Sequence, residues 1–408
     1  MTIAFYIHHT TMSTGGIFTY SIGILRELLK SPEIKKIIII TSKEVSKTLN
    51  VFEKSEKINI RIVDRKNFRV NLMMVIWYGL YLFTQFFYML FPNKKFFDHI
   101  KNVISKVNPY QNILEKDKIV IFHVPVQYSP IYKPNVPVIV TMHDIQEYHF
   151  PQYFSLKDRL HRYINNKFSI YDSEHIFVSF EHVKKDIIKY FKIDSDKISV
   201  CPPPFATNWF LNRNEADWNQ IQQKYNIKKD YLLYPAATWE HKNHITLLEA
   251  VKQIRVEGLN IELICTGNKT KYYSIIFKKI ERLKLSDAVH FLGIVPEEDL
   301  ISLYKNSSLV VIPSLYEAGS GPLYEAMRYQ VPVICSNVTS LPDTVGNNEF
   351  LFDPKDVDAL AKQIKRGLKD VDFRQKNIEN SKQRMEYFKK IEYSENFVES
   401  YNKLKQYV

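Results

Sequence analysis

Short apolar runs alternate with amphipathic segments along the whole chain. In the first half, runs typical of buried strands lie near residues 2–8, 36–41, 58–63, 118–124, 137–142, 175–179 and 197–201. In the second half, they lie at residues 231–237, 261–266, 289–292, 309–313 and 331–336. Apolar residues at helical spacing occur between them, most clearly at 16–30, 244–256, 272–283, 297–305 and 356–369. This alternation predicts an α/β protein whose parallel sheets carry helices on both faces.

A proline run interrupts the alternation near the middle of the chain. Cys201 is followed by three consecutive prolines, at 202–204, which neither a helix nor a central strand accommodates. A chain of 408 residues is also long enough for two separate cores. We therefore expect two doubly wound domains, over residues 1–203 and 204–389.

One long apolar segment stands apart from this pattern. Residues 70–91 contain no charged side chain, whereas Arg65, Lys66 and Arg69 precede them and Lys94 follows. The length is that of a membrane-spanning helix, but a true span would separate strands of one sheet. Two alternatives remain open. The segment makes peripheral contact with a membrane through its apolar side chains and flanking lysines and arginines, or it forms a pair of helices packed on the domain core.

Charge and cysteine content narrow the class of protein. The net charge of +12 favours anionic partners, such as nucleotides or acidic lipids. Basic residues do not cluster with aromatic ones into a stripe, which argues against nucleic acid. Three widely spaced cysteines give neither a metal motif nor a disulfide framework, and the first residues lack the pattern of a signal peptide. We therefore expect a cytoplasmic location, with peripheral attachment to the inner face of the plasma membrane if residues 70–91 meet lipid.

The segment 313–327 carries the most informative chemistry. Glu317 and Glu325 lie eight residues apart there, between a predicted strand and a predicted helix. The residues between them that form a loop and open the helix are Gly319, Ser320, Gly321, Pro322 and Leu323. A helix N-terminus attracts phosphate, and each carboxylate accepts hydrogen bonds from sugar or ribose hydroxyls.

This segment resembles the E-x7-E signature of glycosyltransferase family 4, a family of retaining glycosyltransferases with the GT-B fold. The resemblance continues through residues 330–342 and 351–354. The chain departs from the usual Glu-Gly-Phe-Gly, because Glu317 is followed by Ala318, Gly319 and Ser320. The resemblance implies two Rossmann-like domains facing each other across a cleft. It implies that the first domain binds the acceptor and the second the nucleotide sugar, and that a last helix, at about 390–408, packs back on the first domain.

Other segments match the family at predicted strand ends. Lys242 resembles the lysine that meets the donor diphosphate, His241 stands where an arginine is common, and a second family arginine would fall near Ala236 and is absent. Asn243 is a candidate helix cap. The resemblance implies that His143, after the predicted strand 137–142, faces the transferred sugar.

The remaining candidates are mostly glycines. Gly15 and Gly16, after the first strand, resemble the turn that approaches donor phosphate or acceptor. Gly267 and Ile294, after two strands of the second domain, stand where the family holds the nucleobase. Each of these positions also fits an ordinary turn between a strand and a helix.

We expect no catalytic metal. The three Asp-x-Asp sequences, at 194–196, 356–358 and 370–372, do not end buried strands, and the histidines lack a ligand spacing. The hypothesis is a retaining hexosyltransferase that uses a nucleotide-diphosphate sugar and acts on a glycan or lipid-linked acceptor of a surface polysaccharide, O-antigen or capsule. Glu317, His143 and Lys242 would act at the sugar and the leaving group, and Glu325 would hold the ribose. The alternatives are a degenerate, non-catalytic member that binds membrane or glycan, and a nucleotide-sugar epimerase on the same scaffold.

Overall fold

The computed structural model describes five stretches of the chain, which form two compact units. The described residues are 1–8, 16–52, 55–204, 214–228 and 230–405. The first unit is Met1–Pro204 together with Glu392–Val408, and the second is Phe205–Ile391.

The first unit is built on a seven-stranded parallel sheet. Its strands are β1 (Thr2–Ile7), β2 (Lys36–Thr41), β3 (Ile58–Ile62), β4 (Ile121–Val124), β5 (Val138–Met142), β6 (His175–Val178) and β7 (Ile198–Val200). Their order in the sheet is β3-β2-β1-β4-β5-β6-β7. The helices are α1 (Gly16–Lys30), α2 (Lys43–Ser46), α3 (Phe68–Leu90), α4 (Lys94–Ser105), α5 (Pro109–Lys116), α6 (Gln146–His149), α7 (Leu156–Asp172), α8 (Glu181–Phe191) and, from the end of the chain, α17 (Tyr393–Leu404).

The strands of this sheet read as near-continuous apolar runs because both faces are covered. In β1, Ile3, Ala4 and Phe5 are fully buried, and β2 contributes four consecutive buried isoleucines, at 37–40. Such strands are typical of parallel sheets between two layers of helices.

The helix α17 packs against α1 and completes the first unit. Its Tyr401 is fully buried, and the Tyr401 hydroxyl lies 2.6 Å from Nδ1 of His123 in β4. The ring of Phe397 also contacts His123, tilted by 41° with centroids 5.8 Å apart. The last three residues, 406–408, lie outside the described part of the chain.

The uncharged segment 70–91 forms one helix, α3, and therefore not the pair of core helices that one alternative required. Only Trp77, Tyr81 and Thr84 of α3 are buried. Within the described residues, α3 is the one helix long and apolar enough to cross a membrane, by length and composition alone. Membrane contact through this segment stays a prediction.

The second unit repeats the architecture with six parallel strands. They are β8 (Tyr231–Pro235), β9 (Glu262–Thr266), β10 (Val289–Gly293), β11 (Leu309–Ile312), β12 (Val333–Ser336) and β13 (Leu351–Phe352), in the order β10-β9-β8-β11-β12-β13. The helices are α9 (Trp218–Tyr225), α10 (His244–Val256), α11 (Tyr273–Leu283), α12 (Glu297–Lys305), α13 (Gly321–Arg328), α14 (Leu341–Val345), α15 (Val357–Lys369) and α16 (Val371–Lys389).

Both sheets confirm the predicted doubly wound α/β fold. In each, the strand order reverses beside the first strand of the unit: between β1 and β4 in one sheet, and between β8 and β11 in the other. Loops that leave the carboxyl ends of two such strands diverge to opposite faces, which opens a crevice where ligands bind in this class of fold.

Candidate active site

The loops that follow β8 and β11 meet at the crevice of the second unit. Nζ of Lys242, from the loop after β8, lies 2.7 Å from Oε1 of Glu317, from the loop after β11. Glu317 is 6% exposed, so its charge is almost entirely removed from water. A buried carboxylate needs a cation and hydrogen bonds, and this site supplies both.

Two hydroxyls complete the surroundings of Glu317. Ser314 donates to the same Oε1 at 2.7 Å, and Ser314 in turn lies 3.2 Å from the hydroxyl of Tyr234 at the end of β8. The backbone of Glu317 is fixed as well, because its N–H donates to Oγ1 of Thr339 and its carbonyl accepts from Ser340. The carboxylate is therefore held by several independent contacts rather than free to rotate.

Asn243 joins the same loops but does not cap the helix that follows. The prediction of a side-chain cap was wrong: α10 begins after Asn243, whose backbone is left-handed with φ of 58°, and its side chain makes no cap hydrogen bond. The amide instead donates to the carbonyls of Pro313 and Pro354, at 2.9 and 2.8 Å. Asn243 thus ties the loop after β8 to the end of β11, where asparagine tolerates the left-handed conformation better than other side chains.

The helix α13 begins at Gly321, and Pro322 is its second residue. Ser320 precedes it and is 1% exposed, and the Ser320 hydroxyl has no hydrogen-bond partner in the described structure. Buried hydroxyls are normally satisfied, so an unpartnered one beside a helix N-terminus fits a phosphate oxygen that a bound ligand would bring.

Glu325 lies on α13, one turn after its start, and is almost fully buried. Its Oε2 accepts a hydrogen bond from the hydroxyl of Tyr304 on α12 at 2.7 Å. Leu323 is fully buried and packs α13 into the unit, whereas Gly319 and Gly321 are partly exposed.

The sequence did not reveal two residues of this site, Tyr304 and Ser314. Nothing in the sequence of an amphipathic helix shows which distant side chain the hydroxyl of Tyr304 contacts. Ser314 lies two residues after the end of β11, and the rule that ligands bind at strand ends would have pointed to it.

His241 does not replace the missing arginine as a cation. Burial, with Lys242 and His244 nearby, lowers the pKa of His241 to about 3, so its ring is neutral near pH 7. The His241 carbonyl accepts from the N–H of Leu315 at 2.7 Å, which again joins the loops after β8 and β11. Lys242 is thus the positively charged side chain of this loop.

Gly267 and Ile294 follow β9 and β10 at the same edge of the sheet. Gly267 has φ of +115°, and a Cβ there would lie 2.7 Å from the backbone carbon of Ala236, so no other residue fits without strain. Ile294 is 80% exposed. That these two positions hold the nucleobase, as the resemblance implies, stays a prediction.

In the first unit, His143 follows β5. Its Nε2 lies 3.1 Å from the carbonyl of Pro125, and because a carbonyl only accepts, Nε2 carries the proton and Nδ1 is the acceptor atom. Burial lowers the pKa of His143 below its usual value. The ring of Tyr20 on α1 contacts it edge to face, with centroids 4.8 Å apart.

Gly16 is the first residue of α1 and is exposed, and a Cβ there would meet nothing within 4 Å. Packing within the described structure therefore does not require glycine at this position. Gly15, the other half of the predicted turn, lies outside the described residues.

A charged cluster beside His143 was not foreseen from sequence. Arg162 on α7 contacts Asp144 at 2.7 Å and Glu147 at 2.8 Å. Gln127 donates to the carbonyl of Asp144 at 2.6 Å. These contacts fix the segment after β5 and with it the position of His143.

The described residues contain no group of three or more His, Cys, Asp or Glu side chains that could hold a metal ion. Of the Asp-x-Asp sequences, Asp356 and Asp370 cap α15 and α16 by accepting from Ala359 and Phe373 N–H groups.

Comparison with known proteins places these features in a family. The family model for "Glycosyl transferases group 1" matches residues 217–384. The chain is 32% identical over 259 residues to the O-antigen chain mannosyltransferase B of Escherichia coli, an alignment that covers 62% of this chain and 67% of that protein. It is 28% identical to the O-antigen chain mannosyltransferase RfbU of Salmonella typhimurium, over 55% of this chain and 59% of that protein.

The fold agrees with solved structures over nearly the whole chain. Alr3699/HepE of Anabaena, solved in complex with UDP and glucose, has a TM-score of 0.66 over 99% of this chain and 100% of its own, at 16% identity. At that identity the likeness establishes the fold, which is the GT-B arrangement of two Rossmann-like domains.

Proposed function

The chain belongs to the group 1 glycosyl transferases, and from this premise we propose that it is a retaining transferase that moves a hexose from a nucleotide-diphosphate sugar to a glycan or lipid-linked acceptor. The observation that carries the proposal is the Lys242–Glu317 pair beside the N-terminus of α13, where Ser320 has an unpartnered buried hydroxyl. A cation, a helix N-terminus and a fixed carboxylate in one crevice suit a diphosphate joined to a polyol.

Lys242 would stabilise the departing diphosphate. Negative charge builds on that group as the glycosidic bond breaks, and a fixed cation stabilises the transition state more than the ground state. An ammonium group has three donors, so Lys242 can keep its contact with Glu317 while another donor meets a phosphate oxygen. Gly319 and Ser320, which precede α13, and Gly321, Pro322 and Leu323 in its first turn would place the helix N-terminus against the same phosphates.

The carboxylates would hold the two polyols. Glu317, fixed by Ser314 and Lys242, would accept from hydroxyls of the transferred sugar. Glu325, fixed through Tyr304, would accept from the ribose. Gly267 and Ile294 would border the base. In the first unit, His143 would present its unprotonated Nδ1 to a sugar hydroxyl, and Gly16 would allow close approach of the donor or acceptor.

The proposed reaction needs neither a protein nucleophile nor a metal. The acceptor oxygen would attack from the face that the diphosphate leaves, and a leaving-group oxygen would take the acceptor proton, which retains the anomeric configuration. Proton NMR of the product's anomeric signal tests this directly: inversion would overturn the retaining mechanism.

The names of the relatives suggest the pathway. Two of the matched proteins are O-antigen mannosyltransferases, and another, matched at 26% identity, is a capsular polysaccharide biosynthesis glycosyltransferase of Staphylococcus aureus. We propose that mannose is the transferred hexose and that the acceptor is a growing surface polysaccharide. The corresponding location is the cytoplasm, at the inner face of the membrane where lipid-linked chains are assembled.

A thermal-shift screen against UDP-, GDP-, ADP-, TDP- and CMP-sugars tests donor binding. A ligand that binds only the folded state raises the free energy of unfolding, by about 2.7 kcal/mol when its concentration is a hundred times its Kd. The melting temperature rises as a result. We expect one nucleotide sugar to stabilise the protein with or without EDTA, and Glu325→Ala to abolish the shift. No shift with any donor, together with no sugar transfer to acceptor glycan, would overturn the proposed function.

A further inference from the structure

The helix α3 leaves most of its apolar surface uncovered. Its large exposed side chains include Val75, Phe83, Phe86 and Met89, with exposures of 58–77%. Contiguous apolar surface of this kind marks a contact with another molecule or a membrane. The uncharged length of α3 and the lysines that follow it in α4 are typical of a helix that lies in a membrane interface.

A large cavity opens beside the second half of α3. Its volume is about 940 Å³, which is the upper range of small-molecule sites and large enough for a lipid head group with part of a chain. Leu82, Phe86 and Met89 of α3 and Tyr163 and Ile164 of α7 contribute apolar surface to its lining. The exposed face of α3 therefore runs directly into the cavity.

The cavity lies at the amino edge of the first sheet. Glu174 directly precedes β6, Lys197 directly precedes β7, and Lys133 lies five residues before β5; all three line the cavity. His143 follows β5 and thus lies at the opposite, carboxyl edge. Because all strands of this sheet are parallel, the cavity is separate from the edge where sugar and nucleotide would bind.

Positive charge exceeds negative charge around the cavity. The charged lining residues are Lys94, Lys101, Lys133, Lys167 and Lys197, with Asp98, Asp172 and Glu174. Two lysines are matched: Lys101 contacts Asp172 at 3.1 Å, and Lys133 contacts Glu174 at 2.8 Å. Among the described residues, Lys94, Lys167 and Lys197 form no ion pair with a carboxylate.

Lys197 is held at the cavity by the end of α7. Its Nζ donates to the carbonyls of Ile170 and Tyr171, at 2.8 and 3.1 Å, at the end of α7. Burial lowers the pKa of Lys197 to about 8; Glu174 and Asp172 raise it, and Lys133 and Lys94 lower it further. A phosphate placed among these lysines would offset the cost of gathering like charges.

We propose that the cavity binds the phosphate head group of one anionic phospholipid, while α3 lies in the bilayer interface. Apolar surface that continues into a lysine-rich cavity matches a molecule with a phosphate at the end of an acyl chain, and neither a free anion nor an uncharged lipid uses both parts. The lipid site is independent of the donor site and of the proposed reaction.

Vesicle flotation with the full chain tests the proposal. We expect binding to phosphatidylcholine vesicles that contain phosphatidylglycerol and little binding to phosphatidylcholine alone. The double variant Lys94→Gln with Lys167→Gln should weaken binding about 30-fold, because each lysine near an anionic surface contributes about a factor of five. The matched control is Lys157→Gln with Lys185→Gln, which changes exposed lysines of α7 and α8 outside the cavity.

A cavity-filling variant separates one bound lipid from diffuse attraction. Ile164→Trp should abolish a one-to-one complex with short-chain phosphatidylglycerol in native mass spectrometry, whereas Leu160→Trp, on the exposed side of α7, should keep it. Circular dichroism and the donor-induced thermal shift show whether each variant is folded. The lipid site would be overturned if both lysine pairs lost vesicle binding equally, or if inorganic phosphate displaced the vesicles fully. It would also be overturned if Ile164→Trp still formed the one-to-one lipid complex.

Discussion

At the scale of single residues, the site depends on two carboxylates that hydrogen bonds and an ion pair hold in fixed positions. Glu317 is fixed by Lys242, Ser314 and two backbone contacts, and Glu325 by Tyr304. The sequence pointed to both glutamates and to Lys242 through the family motif. It could not reveal Tyr304, or that Asn243 spans two loops instead of capping a helix, because these contacts join residues far apart in sequence.

Replacing Lys242 tests the charge at the leaving group. Lys242→Ala should lower kcat by about 10²–10³-fold, since removal of one preorganised electrostatic contact has that magnitude. Glu317 would also lose its cation, so circular dichroism and a melting curve must show that the fold persists. The control is Lys362→Ala, an exposed lysine on α15, which should leave steady-state transfer rates within about twofold. An equal effect of both changes would contradict the assigned role.

A pair of glycine substitutions tests the strand ends of the second unit. Gly267→Ala should destabilise this unit by about 3 kcal/mol, because the new methyl group meets the backbone at Ala236 in a left-handed conformation. Gly293→Ala also has positive φ, of +76°, but its Cβ meets nothing within 4 Å, so about 1 kcal/mol is expected. Urea unfolding measures the loss of unfolding free energy in each variant. Similar losses would show that the positive φ alone determines the cost, without a contribution from the contact at Ala236.

At the scale of elements, hydrophobic periodicity located nearly every strand. Apolar runs at 36–41 and 175–179 match β2 and β6, and the predicted helices 16–30 and 244–256 have the observed bounds. The two-residue β13 is too short for periodicity to reveal. The surroundings of α3 could not be predicted, because an uncharged apolar sequence is compatible with contact to protein or to lipid.

Acid should weaken the first unit through His123. Burial lowers the pKa of His123 to about 3, against about 6.5 in an unfolded chain. Between these values the unfolded chain takes up a proton that the folded chain excludes, so stability falls as pH drops from about 6.5 towards 3. From pH 7 to pH 5 this ring alone costs about 2 kcal/mol.

His123→Gln should remove that part of the pH dependence while keeping a polar partner for Tyr401. Urea unfolding at pH 7 and at pH 5 gives the difference in unfolding free energy for each protein. His99→Gln, at an exposed position on α4, should retain the wild-type difference. The same difference in His123→Gln would locate the acid sensitivity elsewhere.

At the scale of the whole molecule, the two parallel sheets share one topology, but the side chains at the carboxyl ends of their strands differ. The second carries Lys242, Glu317 and the start of α13, and the first carries His143 and its hydrogen-bonded neighbours. Family and fold follow from motif and periodicity. The sugar and its acceptor do not, because carboxylates and backbone groups recognise hydroxyls and bases in general terms.

Metal removal tests how the site in the second unit neutralises the charge of a diphosphate. Dialysis against EDTA should leave the rate of sugar transfer within about twofold, because Lys242 and the N-terminus of α13 supply the positive charge. Assays before and after addition of Mg²⁺ or Mn²⁺ measure this. A loss on dialysis that either ion restores would contradict a metal-free mechanism.

The first unit is also assembled from the two ends of the chain. Its helix α17 starts at Tyr393 and supplies Tyr401 to the buried ring of His123, yet the ribosome makes the entire second unit in between. At roughly 5–20 residues per second, on the order of ten to forty seconds separate the two halves of the first unit during synthesis. The unit begun first is therefore completed only after the second unit has been made. Through that interval, the surface of β4 and α1 that later receives α17 remains a candidate for chaperone binding.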